Sequence, residues 1–361
     1  MTTTLSYKSP LHEMALSTPT CLWNDSASIQ ELTSSIQHGA VGATCNPVII
    51  LEVLKKEMHL WKECIEGLIR EMPTATEDQI AWKLVEAVSA KAAQLLLPAF
   101  EQHRGLNGRL SVQTDPRLYR DSGAILEQAV HLSSIAPNII VKIPATKAGI
   151  AAMEEATFLG VSVNATVCFS LPQSVAVAEA IERGLRRREQ AGHSTAAMGP
   201  VCTIMVGRLD DWLKKFAEKH DVTVDPGILE WAGIAVFKKT YALFKERGYR
   251  ARLLSAAFRN HMHWSELIGG NVVISPPYKW QLRFNASGVE VADRIGKPVD
   301  SGVVSQLLSK FDDFRRAYSE QGLTIDEMDT FAPTVRTLRQ FVAACHDLDN
   351  LIRDFMLPNP D

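Results

Sequence analysis

Eight short apolar, β-rich runs recur along the chain with helical patterns between them, and this alternation restricts the fold more than any other feature. The runs cover residues 19–25, 39–47, 108–115, 139–146, 161–170, 201–211, 252–260 and 271–277. Most connections are too long for hairpins, so neighbouring strands are expected to be parallel and joined by crossover helices. A doubly wound open sheet would show the same alternation. Polar residues cluster at the carboxyl end of nearly every run, however, and eight is the barrel number, so we predict a (β/α)8 TIM barrel.

The segments between and after the runs carry helix signals. Ser28 and Glu31 have capping-box spacing, and Thr76 is a candidate N-cap of a long helix. The tail after Pro277 contains two long helical patterns, "VVSQLLSKFDDFRRAYSEQG" and "TVRTLRQFVAACHDLDNLIRDFM". No linker separates two domains. We predict one domain, residues 1–361, with a barrel core at about 19–280 and C-terminal helices in residues 281–361 that pack on the barrel.

One insertion lengthens the connection before the sixth run. It covers residues 182–199 and holds four arginines within six positions, 183–188. Such a cluster is able to bind an anion, but charge runs usually form the solvated end of a helix. We predict the solvated helix end.

Composition excludes several classes of partner. The net charge of −3 gives no basic field for nucleic acid and no polybasic tail for anionic membrane. No window approaches 18 uninterrupted apolar residues, and the first residues lack a signal-peptide pattern. The six scattered cysteines form no CxxC pair, which is typical of reduced thiols. We predict a cytoplasmic protein; the helical tail leaves a homodimer contact open.

The polar residues at the ends of the runs form the candidate site. They are Asn24, Asp25, Thr44, Asn46, Gln113, Asp115, Lys142, Asn164, Thr166, Thr203, Arg208, Arg259, Asn260 and Ser275. Several have a structural explanation when taken alone: "NP" at 46–47 is a turn signal, and "VGRLDDW" fits a helix start. In a barrel, however, these positions converge on one cavity.

Lys142 is the candidate nucleophile, in the otherwise apolar strand "IIVKIPAT". A lone strand lysine often extends its stem to water or forms a salt bridge. Within apolar walls its pKa instead falls from about 10.4 towards roughly 7–8, and the free amine forms a Schiff base with a ketone. Asp25 is the carboxylate placed to move protons in that chemistry.

The remaining residues suit a sugar phosphate. Asn46, Asn164, Thr44 and Thr166 offer hydrogen bonds to hydroxyl groups. Arg208 and Arg259 offer planar guanidinium groups that match phosphate.

No competing site is present in the sequence. HExxH, CxxC and GxxxxGK[ST] are absent, and "HMHW" at 261–264 has neither a nearby carboxylate nor a third histidine. We therefore expect no metal and no cofactor.

The ordered motifs resemble the transaldolase family over roughly residues 20–280. "GATCNP" is similar to its T-x-N-P motif, "IIVKIPAT" and "VSVNATVCFS" to its Schiff-base strand and the next strand, and "VGRLDDW" and "AAFRN" to its two arginine motifs. The resemblance implies a metal-free barrel enzyme of pentose phosphate type carbohydrate metabolism. In it, Lys142 forms the imine with a dihydroxyacetone unit and Asp25 moves the proton.

The resemblance also implies roles for the other residues. Asn46 and Asn164 would hold donor hydroxyls, and Thr166 would position the catalytic water. Arg208 and Arg259 would clamp the phosphate of donor and acceptor.

Four positions depart from the family pattern. Gln113 stands where most of the family has a catalytic glutamate. The fructose-6-phosphate aldolase branch is similar in having glutamine there, but it has a tyrosine where this chain has Met205. Thr203 and Ala257 each replace a serine.

Three functions therefore stay open. The favoured one is a transaldolase that moves dihydroxyacetone from a ketose phosphate to an aldose phosphate. The second is an aldolase that releases free dihydroxyacetone or uses an unusual ketose, and the third is a non-catalytic barrel that binds sugar phosphates.

Overall fold

A computed structural model describes residues 6–360, and its eight parallel strands close into a barrel in chain order. The fold prediction is therefore confirmed. The strands are β1 (Cys21–Asn24), β2 (Ala40–Thr44), β3 (Arg109–Gln113), β4 (Ile139–Pro144), β5 (Val163–Cys168), β6 (Val201–Ile204), β7 (Arg252–Ser255) and β8 (Val273–Ile274). β8 pairs with β1, which closes the ring.

Helices connect the strands and form the tail. They are α1 (Pro10–Ser17), α2 (Ile29–Gln37), α3 (Pro47–Glu71), α4 (Glu77–Gln102), α5 (Ser122–Ser133), α6 (Lys147–Phe158), α7 (Leu171–Gln190), α8 (Val206–Lys219), α9 (Pro226–Leu229), α10 (Ala232–Arg247), α11 (Met262–Ser265), α12 (Tyr278–Asn285), α13 (Ser301–Lys310), α14 (Asp312–Tyr318), α15 (Ile325–Met328) and α16 (Ala332–Met356). No helix within residues 6–360 combines the length and apolar character needed to cross a bilayer.

An apolar layer fills one level of the barrel. Trp23, Ile140, Val201, Leu254 and Val273 are fully buried and pack together. Successive side chains of a strand point to opposite faces, so the residue two positions further along each strand shares the same side. Two positions beyond Trp23, Ile140 and Val201 the chain carries Asp25, Lys142 and Thr203. A polar layer thus lies directly on the apolar one.

Gly42 makes room for the indole in this apolar layer. A Cβ atom on Gly42 would lie 2.4 Å from the Trp23 ring. Any larger residue would force the strand or the ring to shift.

Two predicted strands are shorter than expected. β6 ends at Ile204 and α8 begins at Val206, so the second half of the predicted run 201–211 is helix. β7 ends at Ser255, and Arg259 lies in the loop before α11. The two arginines predicted at strand ends therefore lie beyond them, in a first helical turn and in a loop. "VGRLDDW" does start a helix, but Asp210 and Asp211 lie beyond its first turn, which holds no acidic residue.

The predicted caps differ in how fully they form. Thr76 and Gln79 form a reciprocal capping box at the start of α4. Ser28 caps α2 by accepting from the Glu31 amide at 3.2 Å. The Glu31 carboxylate turns away to pair with Lys56 at 2.9 Å, which explains why the reciprocal half of the predicted box is missing.

The arginine-rich segment belongs to the end of α7. Arg183 and Arg187 pair with Glu154, and Arg187 also pairs with Glu155. Arg188 donates to the Phe158 carbonyl at 3.1 Å. The cluster is the charged helix end that the sequence predicts.

The last helix, α16, packs against α3 and α4 and reaches the carboxyl end of the barrel. Arg117, after β3, pairs with Asp349 of α16 at 3.2 Å and with Asp115 at 2.6 Å. It also contacts Asp78 at the start of α4. One guanidinium group thus ties the tail to two barrel connections. The single-domain organisation remains a prediction.

The cysteines are unpaired in the structure. Cys45, Cys168, Cys202 and Cys345 are buried, and Cys21 and Cys64 are half-buried. All six are free thiols.

Candidate active site

A cleft of 580 Å³ opens at the carboxyl end of the strands. Six predicted site residues line it: Asp25, Asn46, Lys142, Met205, Arg208 and Arg259. Five others lie buried around it and do not line it: Thr44, Gln113, Asn164, Thr166 and Thr203. The barrel thus brings the nucleophile, the carboxylate and both arginines to one space.

Lys142 lies inside the barrel, with 2% of its surface exposed. It is paired in register with Gln113 on β3 and Asn164 on β5. Burial lowers the pKa of Lys142, while the nearby Asp25 carboxylate opposes this shift. A lowered pKa increases the fraction of free amine at neutral pH, which is the form that attacks a carbonyl.

Asp25 follows β1 and is held in place by its neighbours. Its backbone N–H donates to the Pro276 carbonyl at 3.2 Å. The Thr44 hydroxyl donates to its Oδ1 atom at 2.5 Å and lies 3.0 Å from the Ser275 hydroxyl. Burial raises the pKa of Asp25, and Lys142 and Thr44 oppose the rise. A raised pKa suits a group that must both take and return a proton.

Asn164 is held by hydroxyl groups on both sides. Its Nδ2 atom donates to the Ser111 hydroxyl at 2.9 Å, and its Oδ1 atom accepts from Thr203 at 2.7 Å. Each end of the amide keeps one further hydrogen-bonding position. Thr203, where the family pattern has serine, therefore orients Asn164 beside Lys142.

Asn46 has a structural role in addition to its position in the cleft. Its Oδ1 atom accepts from the Ile49 amide at 3.1 Å and caps α3. Because the cap uses the oxygen, the amide nitrogen remains to donate to a ligand.

The departures from the family pattern lie close to Lys142. Met205 is buried, and its sulfur lies 4.0 Å from the Thr166 hydroxyl. Gln113 is 3% exposed, and its Oε1 atom has no hydrogen-bond partner among the described residues. An amide does not act as a proton acceptor at neutral pH. Of the two carboxylates predicted at strand ends, only Asp25 lines the cleft, since Asp115 pairs with Arg117.

Arg208 and Arg259 lie on the same side of the cleft. Arg208 contacts Gln340 and Thr337 of α16, with its guanidinium 5.4 Å from the Phe341 ring centre. Burial lowers the pKa of Arg208 to about 10, and the like charge of Arg259 adds to this. Arg259 pairs with Asp211 at 2.7 Å. Because the charge of Arg259 lowers the pKa of Arg208, an anion bound by these two guanidinium groups would be favourable.

Three predicted strand-end residues serve other structures. Asn24 bonds Ser26 and Gln281, Asp115 pairs with Arg117, and Asn260 contacts Glu230. Like the cleft residues, these three lie near the carboxyl ends of barrel strands. Their side chains, however, bind neighbouring parts of the protein and do not line the cleft.

Sequence reasoning did not identify the residues that contact the two arginines, namely Gln340, Thr337 and His263. Gln340 and Thr337 come from the tail, far along the chain from Arg208, and no local motif marks them. His263 lies 2.7 Å from Asp210, so the expectation that no carboxylate lies near "HMHW" is wrong. Within residues 6–360, no group of three or more His, Cys, Asp or Glu is arranged to hold a metal ion.

The family model described as Transaldolase/Fructose-6-phosphate aldolase matches residues 22–351. A protein named Transaldolase from Mycobacterium tuberculosis (strain ATCC 25618 / H37Rv) is 31% identical over 230 residues, 61% of this chain and 58% of that protein. Transaldolase 1 of Streptomyces avermitilis is 31% identical over 233 residues, 62% of this chain and 61% of that protein. The match thus covers less than two thirds of either relative.

A longer match is found in Thermobifida fusca. Its protein named Transaldolase is 30% identical over 259 residues, 69% of each chain. The family model nevertheless covers nearly the whole of this chain. The chain therefore belongs to the transaldolase/fructose-6-phosphate aldolase family.

Proposed function

We propose that the protein is a transaldolase-type transferase that moves a dihydroxyacetone unit from a ketose phosphate to an aldose phosphate. Sedoheptulose 7-phosphate and fructose 6-phosphate are the candidate donors, in carbohydrate metabolism of the pentose phosphate type. The observation that carries the proposal is the buried Lys142, with a lowered pKa, beside Asp25 in a cleft that also holds two arginines.

The first half of the reaction breaks a carbon–carbon bond. The Lys142 amine attacks the C2 ketone of the donor, and loss of water from the carbinolamine gives an iminium. Asp25 takes the proton of the C4 hydroxyl. The C3–C4 bond then breaks, its electron pair moves to the iminium nitrogen to form an enamine, and an aldose phosphate leaves.

The second half reverses these steps with another aldehyde. The enamine carbon attacks the carbonyl carbon of the acceptor, and Asp25 returns its proton to the new hydroxyl group. Water then hydrolyses the iminium, which releases the product ketose and restores the amine. The raised pKa of Asp25 supports both the uptake and the return of the proton.

Arg208 and Arg259 would bind the phosphate of donor and acceptor in turn. Arg259 is held by Asp211, so the phosphate would share this guanidinium with a carboxylate. Asn46 and Asn164 would bind hydroxyl groups through the hydrogen-bonding positions that their structural contacts leave. Thr44 would hold Asp25, Thr203 would orient Asn164, and Thr166 would position the water near Met205 and Gln113.

An aldolase that releases free dihydroxyacetone is the second candidate. Gln113, in register with Lys142, is the observation that favours it, since the aldolase branch is similar at this position. Met205 counts against it, because a thioether cannot donate or accept the proton that a tyrosine would handle.

A two-part assay distinguishes the candidates. Fructose 6-phosphate is incubated with and without erythrose 4-phosphate, and sedoheptulose 7-phosphate and free dihydroxyacetone are quantified. Sedoheptulose 7-phosphate formed only with the acceptor supports the transferase. Dihydroxyacetone that accumulates without an acceptor identifies the aldolase. Neither product, together with saturable binding of fructose 6-phosphate, would replace both with a non-catalytic sugar-phosphate-binding barrel.

A further inference from the structure

A buried ionisable pair lies behind the two arginines of the cleft. Asp210 of α8 and His263 of α11 are each 0% exposed, and Asp210 Oδ2 lies 2.7 Å from His263 Nε2. Neither side chain lines the cleft. The roles proposed above for the reaction leave this pair unused.

The hydrogen bonds of the pair determine the histidine tautomer. His263 Nδ1 accepts the backbone N–H of Arg259 at 3.1 Å, so in the neutral ring the proton is on Nε2. That N–H donates to Asp210. The other oxygen of Asp210 accepts the Gly233 N–H of α10 at 2.8 Å. The two side chains thus link α8, α10 and the loop that carries Arg259.

The loop between β7 and α11 needs such support. Ala257 has a φ of +65°, in the left-handed region that an alanine occupies only when its surroundings hold it there. Its carbonyl oxygen packs so closely against α8 that a Cβ on Gly207 would lie 2.0 Å from it. Arg208 is the next residue on α8, so the loop and the helix meet where the two arginines emerge.

We infer that Asp210 and His263 are positioning residues that fix the Arg259 loop against the first turn of α8 and so set the spacing of the Arg208 and Arg259 guanidinium groups. The inference rests on the proposed function, in which these two guanidinium groups bind the substrate phosphate. The pair acts through the Arg259 backbone, not by touching the substrate. A pair with a purely structural role would change stability without changing phosphate recognition.

Two substitutions of His263 separate the halves of the link. In His263→Asn the side-chain oxygen takes the place of Nδ1, so it keeps the bond to Arg259 and loses Asp210. In His263→Gln the side-chain nitrogen takes the place of Nε2, so it keeps Asp210 and loses the Arg259 bond. The Asn variant leaves the buried Asp210 carboxylate with only its Gly233 hydrogen bond and should be the less stable of the two. The Gln variant frees the loop and should be the poorer at binding phosphate.

The experiment measures Tm, the Kd of inorganic phosphate and the KM of fructose 6-phosphate for the wild type and both variants. Val236→Ala, a truncation in the core face of α10, is the control for lost stability alone. The inference predicts that His263→Gln raises the phosphate Kd and the KM at least about five-fold, as expected for a lost hydrogen bond that positions a charged group. His263→Asn should raise both less, while its Tm falls more. Both Kd and KM should be unchanged in Val236→Ala.

Phosphate affinities that follow the order of the Tm values, or that do not change, overturn the inference. Borohydride trapping of dihydroxyacetone on Lys142 separates its failure from that of the proposed function. Trapping without any phosphate binding would keep the imine chemistry and overturn the inference. Phosphate binding that is sensitive to His263→Gln, without trapping, would support the inference and contradict the proposed function.

Discussion

For both Lys142 and Asp25, the charge of the partner shifts the pKa in the direction opposite to the shift caused by burial. Burial lowers the pKa of Lys142 and raises that of Asp25, because both charged forms lose water. The ion-pair attraction between them raises the first pKa and lowers the second. Burial and the ion pair therefore act against each other on both groups, which suits an amine that must lose its proton and a carboxyl that must take up and return one.

Asp25→Asn should therefore separate imine formation from bond cleavage. Without the Asp25 carboxylate, its charge no longer opposes the lowering of the Lys142 pKa by burial, so that pKa falls further. Borohydride trapping of dihydroxyacetone, measured against pH, should show its midpoint moved to lower pH. Cleavage of fructose 6-phosphate should fall by about 100-fold or more, the usual loss when a general acid–base group is removed.

Glu52→Gln is the control for this variant. Glu52 is another carboxylate of the cleft, and it raises the pKa of Asp25. Its loss should leave the trapping midpoint nearly in place. A midpoint that stays unchanged or rises in Asp25→Asn would show that Asp25 does not interact with the Lys142 charge.

Gln113→Glu tests whether the absence of a carboxylate at position 113 limits turnover. A glutamate beside Lys142 would accept a proton that the amide cannot, so kcat for transfer should rise by about ten-fold or more. Gln113→Leu, which is also unable to accept a proton, should show no gain. An unchanged kcat in Gln113→Glu would mean that another group already carries this step.

At the scale of elements, the first turn of α8 and the loop after β7 meet at Gly207. A Cβ there would overlap the Ala257 carbonyl and lie 2.8 Å from the Arg259 side chain. Only a glycine allows this approach, which brings Arg208 and Arg259 to the same side of the cleft.

Gly207→Ala should push these two elements apart. We expect the free energy of unfolding to fall by about 1–3 kcal/mol, as for other overpacked sites. The KM for fructose 6-phosphate should rise, while trapping of dihydroxyacetone stays near the wild-type level. Gly67→Ala is the matched control: it lies within α3, nothing approaches its Cβ position closer than 4.0 Å, and alanine should stabilise that helix slightly. If Gly207→Ala lowers trapping of dihydroxyacetone as much as it weakens phosphate recognition, Gly207 does not act only on the position of the two arginines.

Parts of these elements were predictable from sequence because barrel geometry is regular. Lys142, Asp25 and Asn46 line one cleft because parallel strands present their carboxyl ends to one rim. Arg208 and Arg259 line the cleft, but the prediction that they lie at strand ends is wrong. The apolar residues after β6 continue into α8, and β7 ends at Ser255, before the loop that carries Arg259. His263 was missed because its partner Asp210 lies on another element, which no local spacing reveals.

At the scale of the whole molecule, the tail is joined to the barrel mouth by Arg117 and by α16. Arg117 holds carboxylates from three segments of the chain, including Asp349 of α16. Burial raises the pKa of Asp349, and Arg117 opposes the rise. α16 also contacts Arg208, which lines the cleft, so the tail supports a cleft residue although α16 itself contributes no lining residue.

Arg117→Ala should leave three carboxylates without their shared cation. At pH 7 we expect a loss of about 1–3 kcal/mol in the free energy of unfolding, between the values for exposed and buried pairs. Burial raises the pKa of Asp349, and without Arg117 to oppose it the pKa would rise further, so acidification protonates Asp349 and removes part of the repulsion. The difference from wild type should therefore shrink as the pH falls towards 4.

Lys147→Ala is the control at this scale. Lys147 pairs with Asp326 across the same two parts of the chain, but the side chains are 65% and 77% exposed. Such an exposed pair contributes little, so the free energy of unfolding should change far less than in Arg117→Ala. A single unfolding transition in all three proteins would support the predicted single domain. Two transitions would contradict it.

Borohydride reduction in the presence of fructose 6-phosphate is the measurement that decides whether Lys142 forms an imine. Intact mass and peptide mapping then locate the product. We expect a three-carbon adduct on Lys142 in the wild type and none in Lys142→Met, in which a residue of similar length keeps the core filled. If the folded wild-type protein carries no adduct, or the variant carries an equal one, Lys142 is not the imine-forming residue.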